Sequence, residues 1–140
     1  MTNSITRQAL PSKNYLELLG TAICVFNSNN AFIIENILRI DSFNYDWNSL
    51  IDETSGRLKP PLKKTISKNS GNKIAVMFDK LVEKRNRIIH SFQVTADNDE
   101  QMLRTNVKNG HQFNITREYL IEFIHDNEMM STALDHLRSQ

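Results

Sequence analysis

From Tyr15 to Ile40 the apolar positions recur at alternating spacings of four and three: Tyr15, Leu19, Ile23, Phe26, Ile33, Ile37 and Ile40, with Asn30 the one polar residue on the line. That period marks one side of an α-helix. The stretch FNSNNAF has the composition of a turn, yet the stripe keeps phase across it. A single helix over 15–40 is therefore expected, with a break between Asn27 and Asn30 as the alternative. Pro11 precedes it, and Ser12 or Asn14 is placed to cap it. DSFNYDWNSL reads as a turn-rich connection into a second helical segment, made irregular by Gly56 and Pro60–Pro61. Leu58, Leu62 and Ile66 keep a four-residue spacing, so helix is expected to resume after the prolines. Gly71 then punctuates a loop.

A third helix begins near Asn72 and is expected to carry its apolar stripe to Phe92. QVTADNDE after it is polar and acidic, a loop. Val107 and Phe113 flank Asn109–Gly110, the strongest two-residue hairpin signal, which places a small β-hairpin near 103–115. Leu120, Phe123, Ile124, Met130, Leu134 and Leu137 give the last segment a helical stripe. Thr116 opens it without a capping box, because Tyr119 occupies the third position. The expected fold is all-α: a bundle of four or five helices with a hairpin insertion, in one domain over 1–140.

Composition narrows the classes. Of the 140 residues, 39% are hydrophobic and 24% charged, a globular balance with room for one core. Lys and Arg number 17 against 16 Asp and Glu, so net charge advertises neither nucleic acid nor membrane. Cys24 is the one cysteine, which excludes an intrachain disulfide; its place in an apolar run suggests a buried, inert thiol. No apolar run approaches the roughly 18 residues that span a bilayer, and MTNSITRQALPSKN lacks the build of a signal peptide. A cytoplasmic, reducing setting is the expectation. His111, His125 and His136 make no metal-binding pattern, and no Gly-rich phosphate loop or nucleophile elbow occurs.

One residue breaks the pattern. With Ile74 at zero on a wheel of about 100° per residue, Met77, Phe78, Leu81, Val82, Ile88, Ile89 and Phe92 fall within an arc of roughly 140°. Arg85 falls near the middle of that arc, at about 20°, with Asn86 at about 120° and His90 at about 160° along one edge. A buried unpaired guanidinium costs several kcal/mol. Three accounts stand side by side: pairing with a buried carboxylate such as Glu35, snorkelling to the surface, or a wet cleft that takes an anion. His90 by position alone is an ordinary polar residue near a helix C-terminus.

At RNRIIH the sequence resembles the HEPN family, small helical bundles of prokaryotic toxin and antiphage systems whose signature is an arginine, four to six residues, then a histidine. Arg85 opens the motif, Asn86 fills the polar position after it and His90 closes a four-residue gap. The resemblance implies a metal-independent endoribonuclease without a cofactor, acting as a homodimer whose two motif helices line one cleft. In such a site the imidazole moves a proton and the guanidinium holds the phosphate oxygens while the ribose 2′-OH attacks. Catalytic candidates are thus Arg85, Asn86 and His90. Candidate RNA contacts are Lys84 and Arg87 beside the motif, and Lys63 and Lys64 in a basic cluster with Lys59 and Lys68 that otherwise reads as a solvated face. About 140° of rotation and 7.5 Å of rise separate Arg85 from His90 on an ideal helix, so two antiparallel copies suit one phosphate better than one copy does. A cognate antitoxin protein is a further expected partner. In a subgroup a tyrosine two residues after the histidine accepts nucleotide modification; Phe92 stands there and offers no hydroxyl. A non-catalytic RNA- or protein-binding module and a dimerisation domain with a structural Arg85 salt bridge are the alternatives.

Overall fold

The computed structural model describes residues 5–140, so the first four residues of the expected 1–140 domain lie outside it. Helix α1 runs unbroken over Lys13–Ile40, with the Ser12 hydroxyl accepting from the Tyr15 N–H at 3.2 Å as its N-cap. The asparagines at its middle do not break it: Asn27 is exposed, and Asn29 and Asn30 bond side chains of other elements. Asn29 is buried and donates to the backbone and side-chain oxygens of Asn127 at 2.7 and 3.0 Å. Asn30, the expected polar seam residue, lies at the margin and accepts from the Ser55 hydroxyl at 3.2 Å. Cys24 is exposed rather than buried. It lies off the Phe26–Ile33–Ile37 line, on the solvent side of the helix.

Helix α2 (Trp47–Asp52) is capped by Asp46, which accepts from the Ser49 N–H at 2.9 Å. The irregular second segment is a composite helix, α3: a 3-10 turn Ser55–Leu58, an α turn Lys59–Leu62, a π turn Lys63–Ser67 and a last turn Lys68–Ser70. Pro60 and Pro61 occupy the opening positions of the α turn, where a missing N–H costs no hydrogen bond. Leu58, Leu62 and Ile66 are fully buried, as their spacing predicts. Gly71 closes α3 at φ 86°, a left-handed conformation that a side chain resists.

Helix α4 covers Lys73–Ile89, shorter at its C-terminus than the expected stripe. His90 leaves the helix at φ −95°, ψ 47°, and Ser91–Thr95 forms strand β1. Ile89 is therefore 48% exposed, and Phe92 extends from a strand rather than from the helical face. Strands β2 (Gln101–Asn106) and β3 (Gln112–Ile115) complete an antiparallel sheet in the order β1-β2-β3. The expected hairpin is its second half. Asn109 and Gly110 both adopt positive φ at its turn. Its first half lies where a loop was expected: the polar stretch after Phe92 folds back through a turn in which the Ala96 N–H bonds the Glu100 carbonyl at 2.8 Å. The fold is thus mainly α with a three-stranded sheet, not all-α.

Helix α5 (Arg117–Arg138) is capped by Thr116, which accepts from the Tyr119 N–H at 3.1 Å. It lies alongside α1 in the same direction, since Arg117 meets Asn14, Asn127 meets Asn29 and the Arg138 carbonyl meets Arg39. The core lies among α1, α3, α4 and α5. Its centre is the Phe26 ring, which packs against Phe78 at 6.3 Å and Phe123 at 6.1 Å between centroids. The sheet is pinned to this core by Tyr15. The buried Tyr15 hydroxyl donates to the Ile115 carbonyl at 2.6 Å and accepts from the Leu103 N–H at 3.1 Å. Leu103 and Ile115 are register partners at the end of the β2–β3 ladder, so the phenol continues that ladder by one rung. No helix among the described residues is long and apolar enough to cross a membrane.

Candidate nucleic-acid site

Arg85 is half-buried on the last turns of α4. Its guanidinium carbon lies 5.5 Å from the centroid of the Phe26 ring, and Nη1 donates to Asn86 Oδ1 at 3.1 Å. It forms no ion pair among the described residues, and Glu35 is exposed on α1 with no bond to it. Neither partner carries charge, so the positive charge at this point of the apolar face is uncompensated. A guanidinium over a ring face is attracted by the ring quadrupole, which holds the side chain in place while leaving N–H edges to bond something else.

His90 is exposed at the C-terminal end of α4. Its backbone N–H makes the final helical bond to the Asn86 carbonyl at 2.9 Å, and its carbonyl accepts from the Thr105 hydroxyl at 3.4 Å. The helix terminus and β2 thus fix its backbone. No hydrogen bond engages its imidazole among the described residues. Asn86 links the two motif ends: its side chain meets Arg85 and its carbonyl meets His90.

The four candidate RNA-contact residues divide into two pairs. Lys84 is held by α5, with Nζ 2.5 Å from Glu122 and 3.0 Å from Asp126, and lies 5.8 Å from the Tyr119 ring centroid. Partial burial pulls its ammonium down, but the hydrogen bonds to Glu122 and Asp126 outweigh it and leave Lys84 above the ordinary lysine value. Glu122 is correspondingly held below the usual carboxylate range by its hydrogen bond with Lys84. Arg87 bonds the Asn106 carbonyl and pairs with Glu83 at 3.4 Å, tying the end of α4 to β2. Both of these cations are already partnered. Lys63 and Lys64 are exposed on the π turn of α3 with no ion pair among the described residues, whereas Lys59 pairs with Asp79 at 3.0 Å.

The sheet adds a cation absent from the sequence candidates. Arg104 donates from Nε to Gln112 at 2.8 Å and from Nη1 to Asn114 at 2.7 Å. It too is held by neutral amides and forms no ion pair among the described residues. The signal for it was the alternation of β2 and β3, hidden because a polar strand such as QMLRTN carries little apolar period. A separate groove of about 620 Å³ runs between α4 and α5, lined by Met77, Leu81, Lys84, Glu122, Asp126 and Met129. Arg85 and His90 do not line it. Among the described residues no cluster of three or more His, Cys, Asp or Glu is arranged to hold a metal. No family model, curated protein or solved structure matches the chain.

Proposed function

We propose that the protein is a HEPN-type endoribonuclease of a toxin–antitoxin or antiphage system, working as a homodimer on RNA without a metal. The observation that carries this is the Arg85 charge: a guanidinium on an apolar helix face, steadied by a ring and an amide instead of a carboxylate, five residues before an exposed imidazole. An arginine placed for a structural ion pair would have a carboxylate partner; one placed to meet a phosphate keeps its charge free.

The chemistry follows from these groups. The His90 imidazole takes the proton of a ribose 2′-OH as the oxygen attacks the adjacent phosphorus. The P–O5′ bond breaks, a proton passes to the leaving oxygen, and a 2′,3′-cyclic phosphate and a 5′-hydroxyl result. Arg85 neutralises the charge that gathers on the phosphoryl oxygens. Asn86 positions Arg85 through its side chain and the His90 backbone through its carbonyl. The wide angle between Arg85 on the helix and His90 at its C-cap supports a reading in which the pair facing a given phosphate comes from two chains. Ile89, 48% exposed between them, supplies apolar surface for that seam.

Purified protein incubated with total RNA in EDTA should cut it, and His90→Ala and Arg85→Ala should each abolish cutting while remaining folded. Mixing the two inactive variants provides the sharper test. If the site is composite, half the re-formed dimers contain one intact site, restoring up to about a quarter of the activity. A mixture that stays inert although the chains exchange would refute the shared cleft. Wild-type protein that binds RNA without cutting it would instead indicate a non-catalytic module.

A further inference from the structure

We infer that the Phe92–Arg104–Asn114 row of the sheet is a seat for single-stranded RNA, in which Phe92 stacks on an unpaired base and Arg104 holds the neighbouring backbone phosphate. The identity of the ligand rests on the proposal above; the geometry does not. Paired residues of an antiparallel ladder share a face, and the register puts Phe92 opposite Arg104 and Arg104 opposite Asn114 in one row across all three strands. Directly opposed side chains start about 5 Å apart. The bonds to Gln112 and Asn114 turn the Arg104 guanidinium toward β3, so ring and cation share the row with the cation on the side away from the ring.

Each member of the row is in an unusual state. Phe92 is 44% exposed on an edge strand, where a large apolar ring gains little from the fold. Arg104 is half-buried and spends two of its five N–H groups on Gln112 and Asn114, both uncharged. Those two amides fix the plane of the guanidinium without cancelling its charge, and no further bond from it exists among the described residues. Arg57, Arg87, Arg117 and Arg138 pair with carboxylates, whereas Arg104, like Arg39 and Arg85, bonds only neutral oxygens. A fixed, unneutralised cation in one row with an open aromatic ring is a combination that binds single strands: the ring accepts any base and the cation takes the backbone. The row also adjoins the motif. Phe92 follows His90 by two residues, about 6–7 Å along the strand, and Arg87 ties the end of β2 to α4.

The test separates binding from cutting. In a His90→Ala background, a fluorescein-labelled 12-nucleotide single-stranded RNA of mixed sequence is titrated and its anisotropy followed at several salt concentrations, with a duplex of equal length as control. Phe92→Ala and Phe92→Leu should each weaken single-strand binding about tenfold, and Phe92→Tyr should leave it close to wild type. Arg104→Gln should weaken it by a similar factor and lower the salt slope by about one. Melting curves confirm that each variant is folded. Binding unchanged in Phe92→Leu and Arg104→Gln, or equal affinity for the duplex, overturns the inference. So does a Phe92→Ala variant whose only change is dissociation to monomers, which would make the ring part of a protein seam. If wild-type protein never cuts but shows this pattern of binding, the sheet seat stands and the nuclease proposal falls. If it cuts and Phe92→Leu cuts and binds equally well, the reverse holds.

Discussion

Replacing Arg85 by alanine should remove function at little cost to the fold, and the magnitude follows from its contacts. Two interactions would be lost: the approach to the Phe26 ring at 5.5 Å and the 3.1 Å bond to Asn86. A half-exposed cation–π contact contributes about 0.5–1 kcal/mol. A hydrogen bond to a sequence neighbour adds about 0.5–1 kcal/mol, and the freed Asn86 amide is able to bond water. The total is about 1–2 kcal/mol. For a chain of this length the unfolding entropy is about 0.3 kcal/mol/K, so Tm should fall by about 3–7 °C. Had Arg85 been half of a buried ion pair, stranding its carboxylate would cost about 3–5 kcal/mol, equivalent to about 10–17 °C. Thermal melts followed by circular dichroism, beside the RNA-cleavage assay on the same samples, distinguish the cases. A fall of more than about 10 °C, or loss of the cooperative transition, would refute the account of Arg85 as a residue the fold scarcely needs.

Tyr15→Phe should be costlier although it deletes a single oxygen, because the Ile115 carbonyl and Leu103 N–H both lose their buried partner; about 2–4 kcal/mol is expected in urea unfolding. Asn29→Ala leaves the Asn127 oxygens without their donor inside the α1–α5 contact and should cost about 2–3 kcal/mol, with Asn127→Ala adding much less on top of it than alone. Asp41, Asp46 and Glu122 are held below their ordinary values by hydrogen bonds from Asn44, Ser49 and Lys84 respectively. Lowered folded values mean that their stabilisation is complete above pH 4.5 and drains away as pH falls through the folded values, so the urea midpoint should drop in acid. Lys84, whose carboxylate partners outweigh its desolvation, and Tyr15 and Tyr119, raised by burial, work in the opposite sense. Their contribution is complete below pH 10.0 and is lost as pH rises through the folded values, and a midpoint that rose between pH 10 and 11 would contradict this assignment.

The helices were legible where burial alone decides them. The stripe of α1 survived a run of asparagines, and Leu58, Leu62 and Ile66 announced a helix that two prolines seemed to interrupt. What periodicity misplaced was the end of α4. Ile88, Ile89 and Phe92 continue the helical spacing, and only pairing with β2, a partner distant in sequence, turns the chain into a strand at Ser91. That pairing is a tertiary effect with no local signature, since QVT and QMLRTN are mostly polar. Cys24 was misjudged for a related reason: apolar neighbours in sequence are not neighbours on a helix. In the candidate site, the position of Arg85 within the apolar face could be read from spacing. Its neutral partners could not, because Phe26 lies 59 positions upstream and Asn86 was legible only as a motif letter. Lys84 and Arg87 looked like free cations beside the motif until α5 and β2 supplied their acceptors.

The parallel arrangement of α1 and α5 has a consequence for biosynthesis. Tyr15, Asn29 and Arg39 find their partners 100, 98 and 99 residues later. On the ribosome the first helix meets α3 and α4 early, but the part of its buried side that α5 covers stays bare until the last helix is translated. Closing so long a chain segment to gain these particular contacts slows folding. A message truncated before Arg117 would yield a chain that never acquires the other wall of its interior, and such a nascent fragment should be a substrate for chaperones and proteases rather than a partly working protein.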